Sequence, residues 1–203
     1  MQDKKIFDQL RAILSNYNLS ESDISNISSS FDVLNLKKGD FFIKKGNFCD
    51  KIGILINGFL IAKYERDNHK KSEKEIVTSR FYFMPKLPRN PIVCDFNSFY
   101  NGTKSNENIK AEENSQLFII NKDKLDNLYN SIPEMNKLGR IFAEQSYINA
   151  LDRAHVLQLR NEDKIKYFNQ EFSVLNGIAK NTDIASYLGM ERTVYYKLLN
   201  SKK

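Results

Sequence analysis

The sequence predicts an α+β chain: an N-terminal antiparallel β-barrel with flanking helices, one long dimerisation helix, and a C-terminal helical unit ending in a helix-turn-helix. Three observations predict it. From Phe31 to Ile120 apolar residues come in short alternating bursts punctuated by Gly39, Gly46 and Gly58, the pattern of successive strands and turns. From Asn121 onward the apolar period is helical. Within that helical half, residues 181–200 (NTDIASYLGMERTVYYKLLN) carry small and apolar residues at the spacing of two short helices joined by a tight turn.

Taken in order, residues 4–30 read as helical. Ile6, Phe7, Leu10, Ile13 and Leu14 recur at helical spacing, and SESD, beginning at Ser20, resembles a capping box that opens a second short helix. Strands follow. The charged residues 66–75, which include His69, read as a hairpin tip, and strands resume over residues 75–84. Pro85, Pro88 and Pro91 then exclude a helix or a central strand. SFYNGTKSNEN, around Gly102, reads as a polar loop, with residues 109–111 and 116–120 as two further strands. Strands at this turn spacing imply a small barrel or sandwich.

The helical half opens with a short helix over NKDKLDNLYNSI, after which Pro133 stands in the first turn of a long one, where its missing N–H costs nothing. Met135, Leu138, Ile141, Phe142, Ile148, Leu151, Val156 and Leu159 keep an apolar stripe over roughly seven turns. A small barrel cannot cover so long a helix. A homodimer is therefore expected, with Leu138, Ile141, Phe142, Ile148 and Leu151 at the interface. Asn161 is expected to cap a further helix, and Gly177 leads into the terminal pair. There Ile184, Ala185, Leu188, Gly189, Tyr195 and Leu198, together with Met190, form the shared core. Ala185 lets the helices cross closely, and Gly189 can take the positive φ of the turn. Glu191, Arg192, Thr193, Tyr196, Lys197 and Asn200 are left facing outward, with Lys202 beyond them. No acid occurs from Arg192 to Lys203, so this face suits the major groove and phosphates of double-stranded DNA. The expected units are residues 1–132 (barrel with flanking helices), 133–159 (dimerisation helix) and 160–203 (helix-turn-helix domain).

Composition bounds the function. At 203 residues and 41% hydrophobic content the chain can bury real cores. Its 31 basic and 25 acidic residues leave a net charge of +6, which admits nucleic acid as a partner. No apolar run approaches the length of a membrane span and MQDKKIFDQL is not a signal peptide, so a cytoplasmic protein without a membrane partner is expected. Cys49 and Cys94 are far apart without a CxxC, and His69 and His155 make no cluster, so no metal or iron-sulfur cofactor is expected. Buried structural thiols are the expectation for both cysteines. GxSxG, HExxH and GxxxxGK are absent, so no catalytic residue is assigned and an enzyme is not expected.

Barrel, long helix and helix-turn-helix in this order resemble the Crp-Fnr family of bacterial transcription regulators, whose sensor is a cyclic-nucleotide-binding-type barrel, a double-stranded β-helix. The residues that carry the resemblance are Leu36, Gly39, Asp40, Gly46, Ile56 and Gly58 in LKKGDFFIKKGNFCDKIGILINGF, and DIASYLGM in the terminal helices. The resemblance implies a homodimer whose two second helices enter successive major grooves about one helical turn apart. Two departures alter that expectation. Relatives that bind a cyclic nucleotide use a Gly-Glu pair for the ribose and Arg-Ser or Arg-Thr for the phosphate. Here the region reads VCDFNSFYNGTKSNENIKAEENS, with Ser105 and Asn106 near the phosphate position and Lys104 as the nearby cation. The nucleotide pocket is therefore degenerate, cyclic nucleotide is not the expected ligand, and the barrel's effector, if it has one, is an unidentified small molecule. In the second helix, where DNA-reading members carry Glu-Thr-x-Ser-Arg, this chain has residues 193–197 as TVYYK. Lys197 keeps the charge without the guanidinium fork, and Thr193 replaces the acid. No β-wing is expected after Lys203, which implies weaker or more partner-dependent DNA binding. The alternative expectation is a dimeric ligand- or protein-binding module whose helix-turn-helix no longer binds DNA.

Overall fold

The computed structural model describes residues 2–68, 73–83 and 92–201. Two helices, α1 (Gln2–Leu14) and α2 (Glu21–Ser30), precede the strands. Ser20 caps α2, its Oγ accepting from the Asp23 N–H at 3.1 Å while donating to the Asp23 carboxylate at 2.6 Å. The strands are β1 (Asp32–Leu36), β2 (Phe41–Ile43), β3 (Lys51–Asn57), β4 (Phe59–Asn68), β5 (Glu73–Phe83), β6 (Ile92–Val93), β7 (Glu107–Ala111) and β8 (Ser115–Asn121), with a short helix α3 (Phe96–Asn101) between β6 and β7. The chain continues as α4 (Lys122–Ser131), α5 (Pro133–Gln158), α6 (Asn161–Glu171), a 3₁₀ turn at Ser173–Leu175, α7 (Asn181–Tyr187) and α8 (Arg192–Asn200).

The strands form two antiparallel four-stranded sheets, ordered β1-β8-β3-β6 and β2-β7-β4-β5. The expected barrel is not closed. Among the described residues no strand of one sheet pairs with the other, because β2 and β6 are too short to carry a ladder around the corner. The strand half is therefore two facing sheets. Phe42, Leu60, Ala62, Ile109, Ala111 and Leu117 belong to the core that these sheets share.

The outer faces of both sheets are also covered. Phe118 of β8 meets Phe7 of α1 and Phe31 at ring distances of 5.6 and 6.5 Å. On the other sheet, Phe59, Ile61 and Phe81 turn away from the inner core into a second one built with α6, α7 and α8. The run from Phe59 to Ala62 is thus buried alternately in two cores, which explains why it is continuously apolar where a half-exposed strand would alternate.

The turns follow the glycines. Gly39, Gly46 and Gly58 have φ of 99°, 89° and 97°. Gly58 is restricted twice, because a Cβ there would lie 2.6 Å from the Ser115 Cα. The charged hairpin joins β4 to β5 in the register Asn68↔Glu73; its tip, with His69, lies outside the described residues, as do Pro85, Pro88 and Pro91. Two local expectations are corrected. The segment read as a polar loop contains α3, because the Asp95 carboxylate accepts from the Ser98 N–H at 3.2 Å and Gly102, at φ 61°, closes the far end. Asn161 does not cap α6: the helix begins at Asn161 itself, Arg160 stands at the cap, and no side chain closes it. Pro133 does occupy the first turn of α5.

Gly58→Ala should lower stability by about 1–3 kcal/mol from the forbidden backbone conformation alone, measured as a lower urea midpoint at unchanged slope.

Candidate functional site

The C-terminal helix pair is built around a tight link. Gly189, at φ 63°, donates its N–H to Ser186 O (3.1 Å), and Met190 donates to Ala185 O (2.9 Å), the two bonds of a Schellman end. Ile184, Ala185, Leu188, Met190 and Tyr195 are buried between the helices and the sheet, and Leu198 packs against them half-buried. A Cβ on Gly189 would stand 3.0 Å from Leu157 of α5, so the turn also abuts the long helix.

On α8 the burial of Tyr195 sets the outward face. Glu191, Arg192, Thr193, Lys197 and Asn200 are exposed. Tyr196 is half-buried, with the Arg192 guanidinium 5.5 Å from its ring centre. Lys202 lies outside the described residues. The exposed face carries two cations, one acid and two neutral polar groups, within the reach of a groove about 12 Å wide.

The pair is fixed to the rest of the chain through α7. The Asp183 carboxylate, in a buried residue, takes the Lys63 ammonium of β4 at 2.6 Å, while its Oδ2 is buried without a hydrogen-bond partner. Ser186 Oγ accepts from the Thr78 N–H of β5 at 2.9 Å. Arg153 of α5 donates to Thr78 O at 3.2 Å and lies over the Tyr187 ring at 4.1 Å. Tyr187 in turn packs with Phe81, Phe168 and Phe172. None of these contacts follows from local periodicity, since Lys63 and Asp183 are 120 residues apart. The one signal in the sequence is an acid, Asp183, directly before the apolar Ile184 and Ala185 on the inward side of α7.

A cavity of about 710 Å³ opens between β5, α3 and α5, large enough for a drug-sized ligand. Its polar wall contains the ion pair of Arg80 with Glu107, and Ser79 Oγ also donates to Glu107 at 2.8 Å. Asp95, at the start of α3, accepts from Ser105 Oγ at 2.6 Å. Ser105, near where the resemblance places a phosphate-binding guanidinium, is buried with its hydroxyl committed to that carboxylate. Asp152 and Arg153 line the α5 side, and Tyr64, Phe83 and Phe96 supply aromatic surface.

The residues expected at the dimer interface fall into two groups on α5. Leu138 is buried in the chain's own core and Phe142 packs against it, while Ile141 is half-buried. Ile148 and Leu151 are 49% and 51% exposed, beside Tyr147 at 65%. From Gly139 to His155 no residue of α5 is fully buried, so the middle of the helix leaves an apolar strip uncovered.

No family model and no curated protein matches the sequence. Solved structures do. A protein assigned as a transcriptional regulator of the crp/fnr family from Eubacterium rectale is 16% identical over 93% of this chain and 85% of its own, with a TM-score of 0.68. The c-di-GMP-responsive global regulator CLP of Xanthomonas campestris is 13% identical, covering 90% and 91% of the two chains, with a TM-score of 0.67. This chain has the fold of Crp/Fnr-type regulators. A cyclic nucleotide-binding domain from Methylobacillus flagellatus, 15% identical, covers 77% of this chain and 86% of its own at a TM-score of 0.58. At these identities the likeness is one of fold. No helix among the described residues is long and apolar enough to cross a membrane.

Removing the ammonium that faces a buried carboxylate costs about 3–5 kcal/mol in a fully buried pair, and less here because the Lys63 side chain is 29% exposed. Lys63→Met should therefore speed amide exchange in α7 roughly tenfold or more, about 1.4 kcal/mol, with β3 and β8 unchanged by hydrogen-exchange mass spectrometry.

Proposed function

We propose that the protein is a homodimeric DNA-binding transcriptional regulator whose cavity takes an effector other than a cyclic nucleotide. The observation that carries this reading is the outward face of α8. Arg192, Thr193, Lys197 and Asn200 stand exposed around the buried Tyr195, on a helix joined to α7 by a fixed turn. In this reading α7 and α8 form a helix-turn-helix, α8 enters the major groove, and Lys202 adds a phosphate contact. The fold shared with solved regulators over nine-tenths of the chain supports it by analogy.

The units are then a sensor over residues 1–132, a dimerisation helix over 133–159 and a DNA-binding unit over 160–203. Tyr147, Ile148 and Leu151 would pair across a two-fold axis. Such an axis places two α8 helices for a two-fold symmetric site. A cyclic nucleotide is not the expected effector, because Asp95, Glu107 and Asp152 line the cavity while its two cations are engaged elsewhere, Arg80 by Glu107 and Arg153 by Thr78 O and the Tyr187 ring, and a cyclic phosphate beside Ser105 would meet the Asp95 carboxylate.

A second reading has one observation in its favour. Asp183 and Ser186 of α7 are spent on contacts with β4 and β5, so the helix pair serves as a structural cap of the sheet whether or not DNA is bound. On that reading the protein is a dimeric ligand- or protein-binding module.

Selection of bound sites from genomic fragments, at two salt concentrations, separates the two. The regulator reading expects enrichment of a two-fold symmetric site that weakens steeply with salt. Arg192→Ala with Lys197→Ala should lower affinity by about 1–3 kcal/mol per lost base contact while the fold persists by circular dichroism. Unchanged affinity in that variant, or no enrichment at either salt, would remove α8 from the DNA interface. For the dimer, Ile148→Glu with Leu151→Glu should give a monomer in light scattering; an unaltered mass would place the interface elsewhere.

A further inference from the structure

Cys49 and Cys94 are 45 residues apart in sequence, yet their sulfurs lie 4.0 Å from each other. Both are free thiols and both are buried, at 5% and 0% exposure. Cys49 stands in the loop before β3, held by its N–H on Ser98 Oγ at 2.9 Å and by its sulfur against Lys51 O at 3.4 Å. Cys94 follows β6, and its carbonyl accepts from the Tyr82 hydroxyl at 3.3 Å. The pair therefore joins two separate segments of the sensor wall. A disulfide needs the sulfurs at about 2.05 Å, so closure requires an approach of about 2 Å, which side-chain rotation and a small loop shift can supply.

We propose that Cys49 and Cys94 are a reversible redox pair that closes to an intrachain disulfide when the protein meets a hydroperoxide. The two thiols are not equivalent. The hydrogen bond shared with Cys94 holds the Cys49 thiol down at about 7 against the opposing effect of burial, whereas that same bond and burial push Cys94 up. Cys49 also keeps some solvent exposure where Cys94 has none, so Cys49 is the attacking thiolate and Cys94 the resolving thiol. In the first step the Cys49 thiolate attacks the outer oxygen of the hydroperoxide. The O–O bond breaks, the departing alkoxide takes up the thiol's proton, and Cys49 becomes a sulfenic acid. In the second step the Cys94 sulfur attacks the Cys49 sulfur, the S–O bond breaks, and hydroxide leaves as water with the Cys94 proton. Two thiols lose two electrons, and the peroxide O–O bond takes them. A dithiol reductant reverses the change.

The position of the pair gives it a readable effect. Asp95 follows Cys94 directly, opens α3, binds Ser105 and lines the cavity, as does Phe96. Closure displaces the lip of that cavity. The chemistry does not depend on DNA binding, and its test uses neither DNA nor effector.

The test is to expose the fully reduced, folded wild-type protein to hydrogen peroxide, then count thiols after denaturation and map unreduced peptides by mass spectrometry. The expected result is joint loss of both thiols, one cross-linked peptide pair containing Cys49 and Cys94, no covalent dimer, and full recovery with dithiothreitol. In Cys94→Ser a dimedone-type probe should trap a sulfenic acid at Cys49, and in Cys49→Ser position 94 should stay unlabelled. A disulfide between chains, stable oxidation of either cysteine without the cross-link, or two thiols untouched at peroxide that fully oxidises a free thiol would each overturn the proposal. The mapping needs only the wild-type chain, so a variant that fails to fold does not decide it.

Discussion

β4 is a strand with no solvent face over its first residues, and both cores depend on it. Leu60 and Ala62 complete the space between the sheets, while Phe59 and Ile61 found the aromatic cluster that receives α6, α7 and α8. Fully burying side chains of the size of Phe59, Leu60 and Ile61 is worth about 1.5–3 kcal/mol each. The strand is therefore committed on both sides, and neither the strand half nor the helical half has a complete core without it. Pairing to β5 on one edge and β7 on the other leaves its backbone satisfied as well.

Polar ties refine what the apolar contacts bring together. Arg153 touches three elements at once: it sits on α5, donates to the backbone of β5 and covers a ring of α7. Guanidinium suits this place because its flat face stacks while its edge donates. Lys63 and Asp183 add a charge pair between β4 and α7. These ties line or adjoin the cavity, so the space available to a ligand and the seat of the helix pair share the same side chains.

Much of the fold was legible in the sequence where a local rule dictates the outcome. Gly39, Gly46 and Gly58 marked turns because only glycine takes their φ cheaply, and Pro133 marked the start of α5. The outward residues of α8 were legible from its period, since burying Tyr195 fixes which neighbours stay in water. α3 was missed although its signals are present: Phe96, Phe99 and Tyr100 stand at helical spacing between the capping Asp95 and Gly102, but six residues are too few for a period to stand out within a polar stretch. The closed barrel was expected wrongly because alternation reports which face is buried and says nothing of whether sheet edges meet. The run from Phe59 to Ala62 did carry the information that both faces are covered, but four residues fit several patterns. Arg153, Lys63 and the proximity of Cys49 to Cys94 were out of reach, because each joins segments separated by tens of residues and arises only once the sheets have formed.

Gly189 is held by two unrelated demands, the handedness of its backbone and the nearness of Leu157. Relaxing one leaves the other in force. A residue that tolerates the backbone, such as asparagine, would still press on the Leu157 side chain, which must turn aside to admit it. Positions 157 and 189 thus share one volume, and the end of the long helix feels what replaces the glycine in the turn between the last two helices.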